Sequence, residues 1–326
     1  MQNVHEHFLQ QLNRQLQGGY FVKKKKTVQK RRMNWNLFLL AIPGLLFLLA
    51  FYYVPLFGLI IPFKQMDYSL GIWKSKFVGL KNFEFFFKSQ DAFRITRNTL
   101  GLNFLFITLT LALSVILALL LFELTSRKVK LYQTALFMPY FISWIVASYI
   151  LYALLSPQMG MIPKIMANAG MEVPNFYNEP EYWPFILLVS YVWKNIGYMT
   201  LLFYTTLMGI DSSYFEAAAI DGATKWKRAI YISLPYLKPV IIIMTLLQIG
   251  KIFYADFGMF YFLTRDSGTL YPVTDVIDTY VFRALRVTGD IGMSSAVGLY
   301  QSIVGFLLVL GSNLVVRRID KDSAIF

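Results

Sequence analysis

Six long apolar runs divide the chain, and the stretches between them are mostly polar. The runs cover Leu37–Phe63, Thr99–Phe122, Tyr132–Leu155, Pro184–Leu207, Pro239 to about Leu263, and Ile291–Val316. Each is near or above the ~20 residues an α-helix needs to cross the hydrocarbon layer of a bilayer. The pattern predicts an all-α integral membrane protein with about six transmembrane helices. The first run starts far along the chain and is too long for the apolar part of a signal peptide, so no cleavable signal is expected. The first, second, third and sixth runs carry no charge; the fourth contains Lys194 and the fifth contains Lys251 and Asp256.

The polar segments set an orientation. If the N-terminus faces the cytoplasm, the inside segments 1–36, 123–131, 208–238 and 317–326 hold 18 Lys/Arg against 7 Asp/Glu. The outside segments 64–98, 156–183 and 264–290 hold 11 against 10. This bias follows the positive-inside rule and places both termini in the cytoplasm. The expected organisation is a basic segment over 1–36, a membrane domain over 37–316 and a cytoplasmic tail over 317–326. In the first segment Phe8, Leu9, Leu12 and Leu16 fall at helical spacing before the Lys23–Lys26 run. Two readings stand there: an amphipathic helix drawn to anionic lipid, and a plain tail with a stop-transfer charge cluster.

Composition agrees with a membrane location. Apolar residues make up 56%, charged residues 15% and aromatics 17%, and the mean hydropathy is +0.51. That leaves too few charges to cover a water-exposed surface. There is no cysteine, which excludes disulfides and thiolate metal sites. The net charge of +13 would suggest nucleic acid in a soluble protein. Here the loops account for it, and no nucleic-acid partner is expected.

The segment 211–238 is the most informative. Its stretch EAAAIDGATKWKRAIYISLP, over 216–235, reads as two short helices joined by a tight turn. Ser213 and Glu216 have the spacing of a capping box that starts the first helix. Ala217, Ala218 and Ala219 favour helix and leave a surface of little bulk. Gly222 is placed to end that helix in a left-handed conformation. A basic helix follows and is predicted to stop at Pro235. By spacing alone this is an ordinary capped interfacial helix between two spans.

The same residues resemble the EAA loop of binding-protein-dependent ABC importers, whose pattern is E-A-A-x-x-D-G-A followed by I-x-L-P. The match comprises Glu216, Ala217, Ala218, Asp221, Gly222, Ala223, Ile232, Leu234 and Pro235, and departs at Ala229, where many members carry Phe. Further resemblance to the maltose-permease type lies in FVGLKNF over 77–83 with Asn98–Thr99. TDVIDTYVFR over 274–283, AVGLYQS over 296–302 and Asn313 look like the LplB-type branch, associated with oligosaccharides from polysaccharides. The T-x-G-G-P element of many sugar permeases is absent, because Thr264 is followed by Arg-Asp-Ser-Gly.

The resemblance implies the type I importer transmembrane fold in a bacterial cytoplasmic membrane. It implies a coupling helix that docks into a cleft on an ABC ATPase, with Glu216 and Gly222 as the foremost coupling residues. A second homologous permease, an ATPase dimer and an extracytoplasmic solute-binding protein are the implied partners, beside membrane lipid. ATP and Mg are expected in the ATPase and no cofactor in this chain.

Ionisable groups inside a bilayer face a cavity or a partner. Lys194, Lys251 and Asp256, with Asn195, Tyr198, Tyr254 and neighbouring Tyr261, are therefore candidates for a translocation path. Two lysines against one aspartate point to an anionic substrate such as a uronate-containing oligosaccharide. The other reading is a Lys–Asp pair holding two helices together, or a lysine reaching an interface. Arg283 and Arg286 fit either a path mouth or a docking surface. No G-x-x-x-x-G-K-[ST] loop is present, and His5 and His7 are the only histidines, so no enzymatic or metal site is expected. An ion-coupled secondary transporter for a small polar solute is the alternative function.

Overall fold

The computed structural model describes residues 35–124 and 126–319. The basic segment 1–34, with its two readings, lies outside the described residues, as does 320–326. The chain divides into a unit ending at Leu56 and one starting at Phe57. In the first, helix α1 (Trp35–Leu48) continues through a π turn, Leu49–Tyr53, into a tighter 3-10 stretch, Val54–Phe63, that runs on into the second. Pro55 and Pro62 lack the N–H an α-helix requires, and the changes of helical pitch accompany them. The span Phe38–Phe63 is apolar and its membrane-length window has no buried residue, as for a helix bathed in lipid.

The second unit opens with a two-strand hairpin, β1 (Lys64–Gln65) against β2 (Lys76–Phe77), antiparallel. Helix α2 (Lys81–Lys88) leads to α3 (Gln90–Phe122). The second apolar run thus belongs to a helix that begins nine residues before Thr99. Ser89 caps it, its hydroxyl accepting from the Ala92 N–H at 3.1 Å. The polar turn 90–98 continues the helix out of the apolar layer, where hydropathy no longer registers it. With 33 residues α3 is about 50 Å long.

Helix α7 (Trp183–Leu207) runs parallel to α3 along much of that length. Phe106 stacks on Tyr191 at 4.6 Å, Ser114 Oγ donates to the Ile196 carbonyl at 3.3 Å, and Phe122 meets Tyr204 edge-on at 6.5 Å. Buried Ser114 and Ala118 let the backbones approach closely, the usual way helices associate where lipid offers no hydrophobic drive.

The third apolar run does not form one helix. It divides into α4 (Ser126–Phe137), a 3-10 turn over Met138–Phe141, and α5 (Trp144–Leu155), bent by 100°. Pro139 cannot donate in the turn, and Ser143 restarts the helix by accepting from the Val146 N–H at 3.3 Å. Gly197 of α7 lies against the end of α4 so closely that a Cβ there would stand 1.9 Å from the Leu136 oxygen. An amphipathic helix α6 (Met161–Asn168) links α5 to α7.

The fifth run is also interrupted. After α7 come α8 (Ser212–Ile220), α9 (Lys225–Arg228), a π turn over Ala229–Ser233 and α10 (Leu234–Ile249). The membrane-length span is Lys225–Ile249, not Pro239–Leu263. Beyond Gly250 the chain unwinds before a further π turn, Met259–Leu263. Amides on neighbouring helices satisfy the unwound backbone. Asn103 Nδ2 donates to the carbonyls of Ile252 (2.8 Å) and Tyr254 (3.1 Å), and Gln301 Nε2 donates to that of Phe253 (2.7 Å). Non-helical backbone persists at membrane depth only when so partnered.

Among the described residues five helices are long and apolar enough to cross a membrane, or six with the bent pair, in line with the sequence pattern. The last is α12 (Ile291–Ile319), after the short α11 (Ile277–Arg283).

The two ends of α3 define two ends of this unit. At the Gln90 end, Asn98 Nδ2 donates to the Pro272 and Asp275 carbonyls at 3.2 and 3.0 Å, and the Thr99 hydroxyl accepts from the Ile277 N–H at 3.0 Å. The Asp275 carboxylate, 1% exposed, lies between Arg94 at 3.3 Å and Arg283, and Arg283 also binds Asp266 at 2.9 Å. Nearby, burial pushes the Asp278 carboxyl above the usual range, against the opposing bond from the Ala255 N–H. At the Phe122 end lie Leu207, Leu237 and the 208–234 loop.

Candidate coupling loop and membrane polar cluster

The 208–234 loop is built by ordinary helix-end chemistry. Asp211, not Ser213, caps α8: its carboxylate accepts from the Ser213 N–H at 2.9 Å, which also holds its pKa below the usual range. The predicted capping box is therefore two residues late, because the Asp211 carboxylate already serves a free N–H at the helix start. Gly222 adopts φ +73°. The Ala223 N–H reaches the Ala218 carbonyl at 2.9 Å and the Gly222 N–H that of Ala219 at 3.1 Å, the paired bonds of a Schellman ending. Thr224 then caps α9, accepting from the Lys227 N–H at 3.4 Å.

Pro235 does not end the second helix. The π turn over Ala229–Ser233 precedes it and carries the chain without a break into α10, with Pro235 as its second residue. The basic helix and the next span are thus joined, with Leu234 and Pro235 exposed at the junction.

Helix α8 has no buried residue. Phe215 is its anchor, 5.4 Å from Phe122 at the end of α3. Lys225 and Arg228 both approach Glu123, at 3.2 and 3.9 Å, fastening α9 to the same end. Glu216, Ala217, Asp221 and Gly222 are exposed and Ala218 and Ala223 half-buried. The same loop carries apolar side chains without cover: Tyr214, Ile220 at 88% exposure and Trp226 at 74%. Sequence reasoning missed Glu123 and Phe215, since neither belongs to a motif and their role depends on how α3 ends.

Three of the seven membrane candidates, Lys194, Tyr198 and Asp256, come together at the break between α4 and α5. Lys194 Nζ donates to the carbonyls of Tyr140, at 3.0 Å, and Ile142, the carbonyls the bend sets free. The same ammonium lies 5.2 Å from the Trp144 ring. Trp144 Nε1 donates to Asp256 Oδ2 at 2.6 Å, and Asp256 Oδ1 accepts from the Met259 N–H at 3.4 Å. Lys194 and Asp256 therefore belong to one cluster joined through Trp144. Tyr198 stacks on Tyr140 at 5.0 Å. Asn195, on the same stretch of α7, donates to its own helix at the Tyr191 carbonyl.

Tyr254 stands apart, its hydroxyl 2.9 Å from Ser302 Oγ on α12, and Lys251 is exposed in the unwound segment. Tyr140 and Trp144 were missed in the sequence because a Tyr and a Trp in an apolar run look like lipid-facing residues. Among the described residues no group of three or more His, Cys, Asp or Glu is placed to hold a metal ion.

Residues 130–321 match the family model described as binding-protein-dependent transport system inner membrane component. The chain is 35% identical to Protein LplB of Bacillus subtilis (strain 168), over 90% of this chain and 92% of that protein. It is 31% identical to the polygalacturonan/rhamnogalacturonan transport system permease protein YteP of the same organism, over 92% and 94%. Its fold is similar to a chain in the crystal structure of a bacterial alginate ABC transporter in complex with alginate pentasaccharide-bound periplasmic protein. That match has a TM-score of 0.80 and 29% identity, covering 88% of this chain and 96% of the other. These likenesses leave no place for the ion-coupled secondary transporter. With its membrane-length helices and its exposed loop, the chain belongs to the family of binding-protein-dependent transport system inner membrane components, as a multi-pass permease.

Proposed function

We propose that this permease forms half of the path of an ATP-driven oligosaccharide importer and that the 208–234 loop is its docking element for the ATPase. One observation carries the reading. Glu216 is exposed on a capped helix with no buried residue, on a loop that also carries uncovered Tyr214, Ile220 and Trp226, at the end of the second unit where α3, α7 and α10 meet. Uncovered apolar side chains on a loop suit a partner's cleft better than water. The loop and the Arg317–Arg318 end of α12 face the cytoplasm, and 264–290 faces outward to a solute-binding protein. A second permease completes the path, and the partner ATPase binds ATP and Mg.

ATP-driven closure of the ATPases moves the docked α8. Phe215 and Glu123 pass that displacement to the end of α3, and the path opens outward. Glu216, Ala217, Ala218, Asp221, Gly222 and Ala223 form the contact, and Leu234 and Pro235 join it to the span. The cluster of Tyr140, Trp144, Lys194, Tyr198 and Asp256 lines the path with Asn195, Tyr254 and Lys251. Its rings offer stacking faces to sugars and its polar atoms offer hydrogen bonds to hydroxyls.

The test is reconstitution of the whole transporter in proteoliposomes with Glu216→Ala or Gly222→Pro in this chain. Each variant is expected to insert and to keep its partner permease, yet to lose at least tenfold in ATP-dependent oligosaccharide uptake. Wild-type uptake that proceeds without ATP and without an ATPase subunit would sink the proposal.

A further inference from the structure

A cleft of about 240 Å³ lies beyond the Lys194–Trp144–Asp256 cluster toward the 264–290 end. Ser148, Tyr149 and Tyr152 on α5 face Tyr261, Arg265 and Asp266 across it. Tyr152 follows Trp144 by eight residues on one helix, about 12 Å further along. Tyr149 is 72% exposed, so its ring is free to meet a ligand. The Arg265 guanidinium lies over the Tyr152 ring at 4.3 Å. Among the described residues no carboxylate pairs with Arg265. Its neighbour Asp266 is engaged elsewhere, accepting from Arg283 at 2.9 Å and from the Tyr271 hydroxyl at 3.1 Å.

The backbone beneath this cleft is strained. Arg265 and Asp266 have φ of +56° and +49°, the two positive-φ non-glycine positions among the described residues. A left-handed conformation is unfavourable for a residue with a Cβ, and glycine would hold the turn without that cost. The T-x-G-G-P pattern places glycine at the positions filled here by Asp266 and Ser267. A chain that keeps two bulky residues in such a turn uses their side chains. Asp266 is accounted for by Arg283 and Tyr271. Arg265 is left, its guanidinium over the Tyr152 ring and in the lining of the cleft.

We propose that this cleft is a subsite for a carboxylate-bearing sugar ring, with Arg265 as the specificity-determining residue. A guanidinium fixed by stacking is pre-organised to bind a carboxylate with two parallel hydrogen bonds. Tyr149 and Tyr261 supply faces for the ring carbons. The inference rests on the importer reading, and it moves the case for an acidic substrate from the membrane lysines to Arg265.

The experiment uses the complete transporter in proteoliposomes, with trigalacturonate and its fully methyl-esterified, uncharged form as probes. Wild type is expected to take up the acid in preference to the ester. Arg265→Gln is expected to raise KM for the acid at least tenfold with little change for the ester, and Arg265→Lys to restore part of the loss. Arg265→Gly relieves the backbone strain and so controls for misfolding: it should keep or raise the Tm while losing the preference for acid. Equal effects of Arg265→Gln on both probes, no effect on either, or wild-type rejection of the acid would each overturn the subsite. Those results leave ATP dependence intact, whereas failure of the importer reading shows as loss of ATP dependence itself.

Discussion

Asn103 contributes more than its neutral side chain suggests. One amide on α3 holds two carbonyls of the unwound segment, at Ile252 and Tyr254. Asn103→Leu nearly preserves volume but leaves both carbonyls without that donor. The expected loss is about 1–3 kcal/mol per stranded group, seen as a lower Tm of the purified protein in detergent; an unchanged Tm would mean that other donors reach them. Residues of this kind were illegible in the sequence. Lys194 and Asp256 stand out because a charge in an apolar run is costly and needs a reason. Asn103 and Gln301 carry no charge, and their purpose exists only because a distant segment fails to be helical. The residues proposed for docking were easier to read: small surfaces and the Gly222 turn are local chemistry, written within a dozen residues.

At the scale of elements, hydropathy gave the number of spans but not their courses, and it placed the fifth too late in the chain. The run Tyr132–Leu155 has the composition of one helix and the path of two, because hydropathy averages side chains and is blind to direction. The bend is decided by Pro139, by the Ser143 cap and by how closely α7 approaches at Gly197. Gly197→Ala places a methyl group where the Leu136 carbonyl already stands. It should separate α4 from α7 and pull Lys194 off the freed carbonyls of Tyr140 and Ile142. We expect overpacking of at least 1–3 kcal/mol, with faster proteolysis of the folded protein between 126 and 143. An unaltered cleavage pattern would show that the bend does not depend on this contact. The fifth span has the same lesson in another form, since apolar residues 250–263 meet the length rule only when counted together with a helix that has already ended.

At the scale of the whole second unit, α3 touches both ends. Its last turn holds the 208–234 loop through Phe122 and Glu123, and its first turns hold the 264–290 segment through Arg94, Asn98 and Thr99. This arrangement makes the length of α3 a phase relation between two sites about 50 Å apart. A single alanine inserted near Leu109 turns everything beyond it by about 100° and advances it by about 1.5 Å. Either end keeps its partners only by giving up those of the other. Four inserted residues come within about 40° of a full turn and restore most of the facing, though not the rise. Transport in an insertion series should therefore fall and partly recover with the helical repeat, while insertions between Tyr68 and Leu70 leave it unchanged. A smooth decline with insertion length would show that the two ends are not geared. Within this family, then, gaps and extra residues should be tolerated in the outer loops and be rare inside α3, a constraint on chain length and not on residue type.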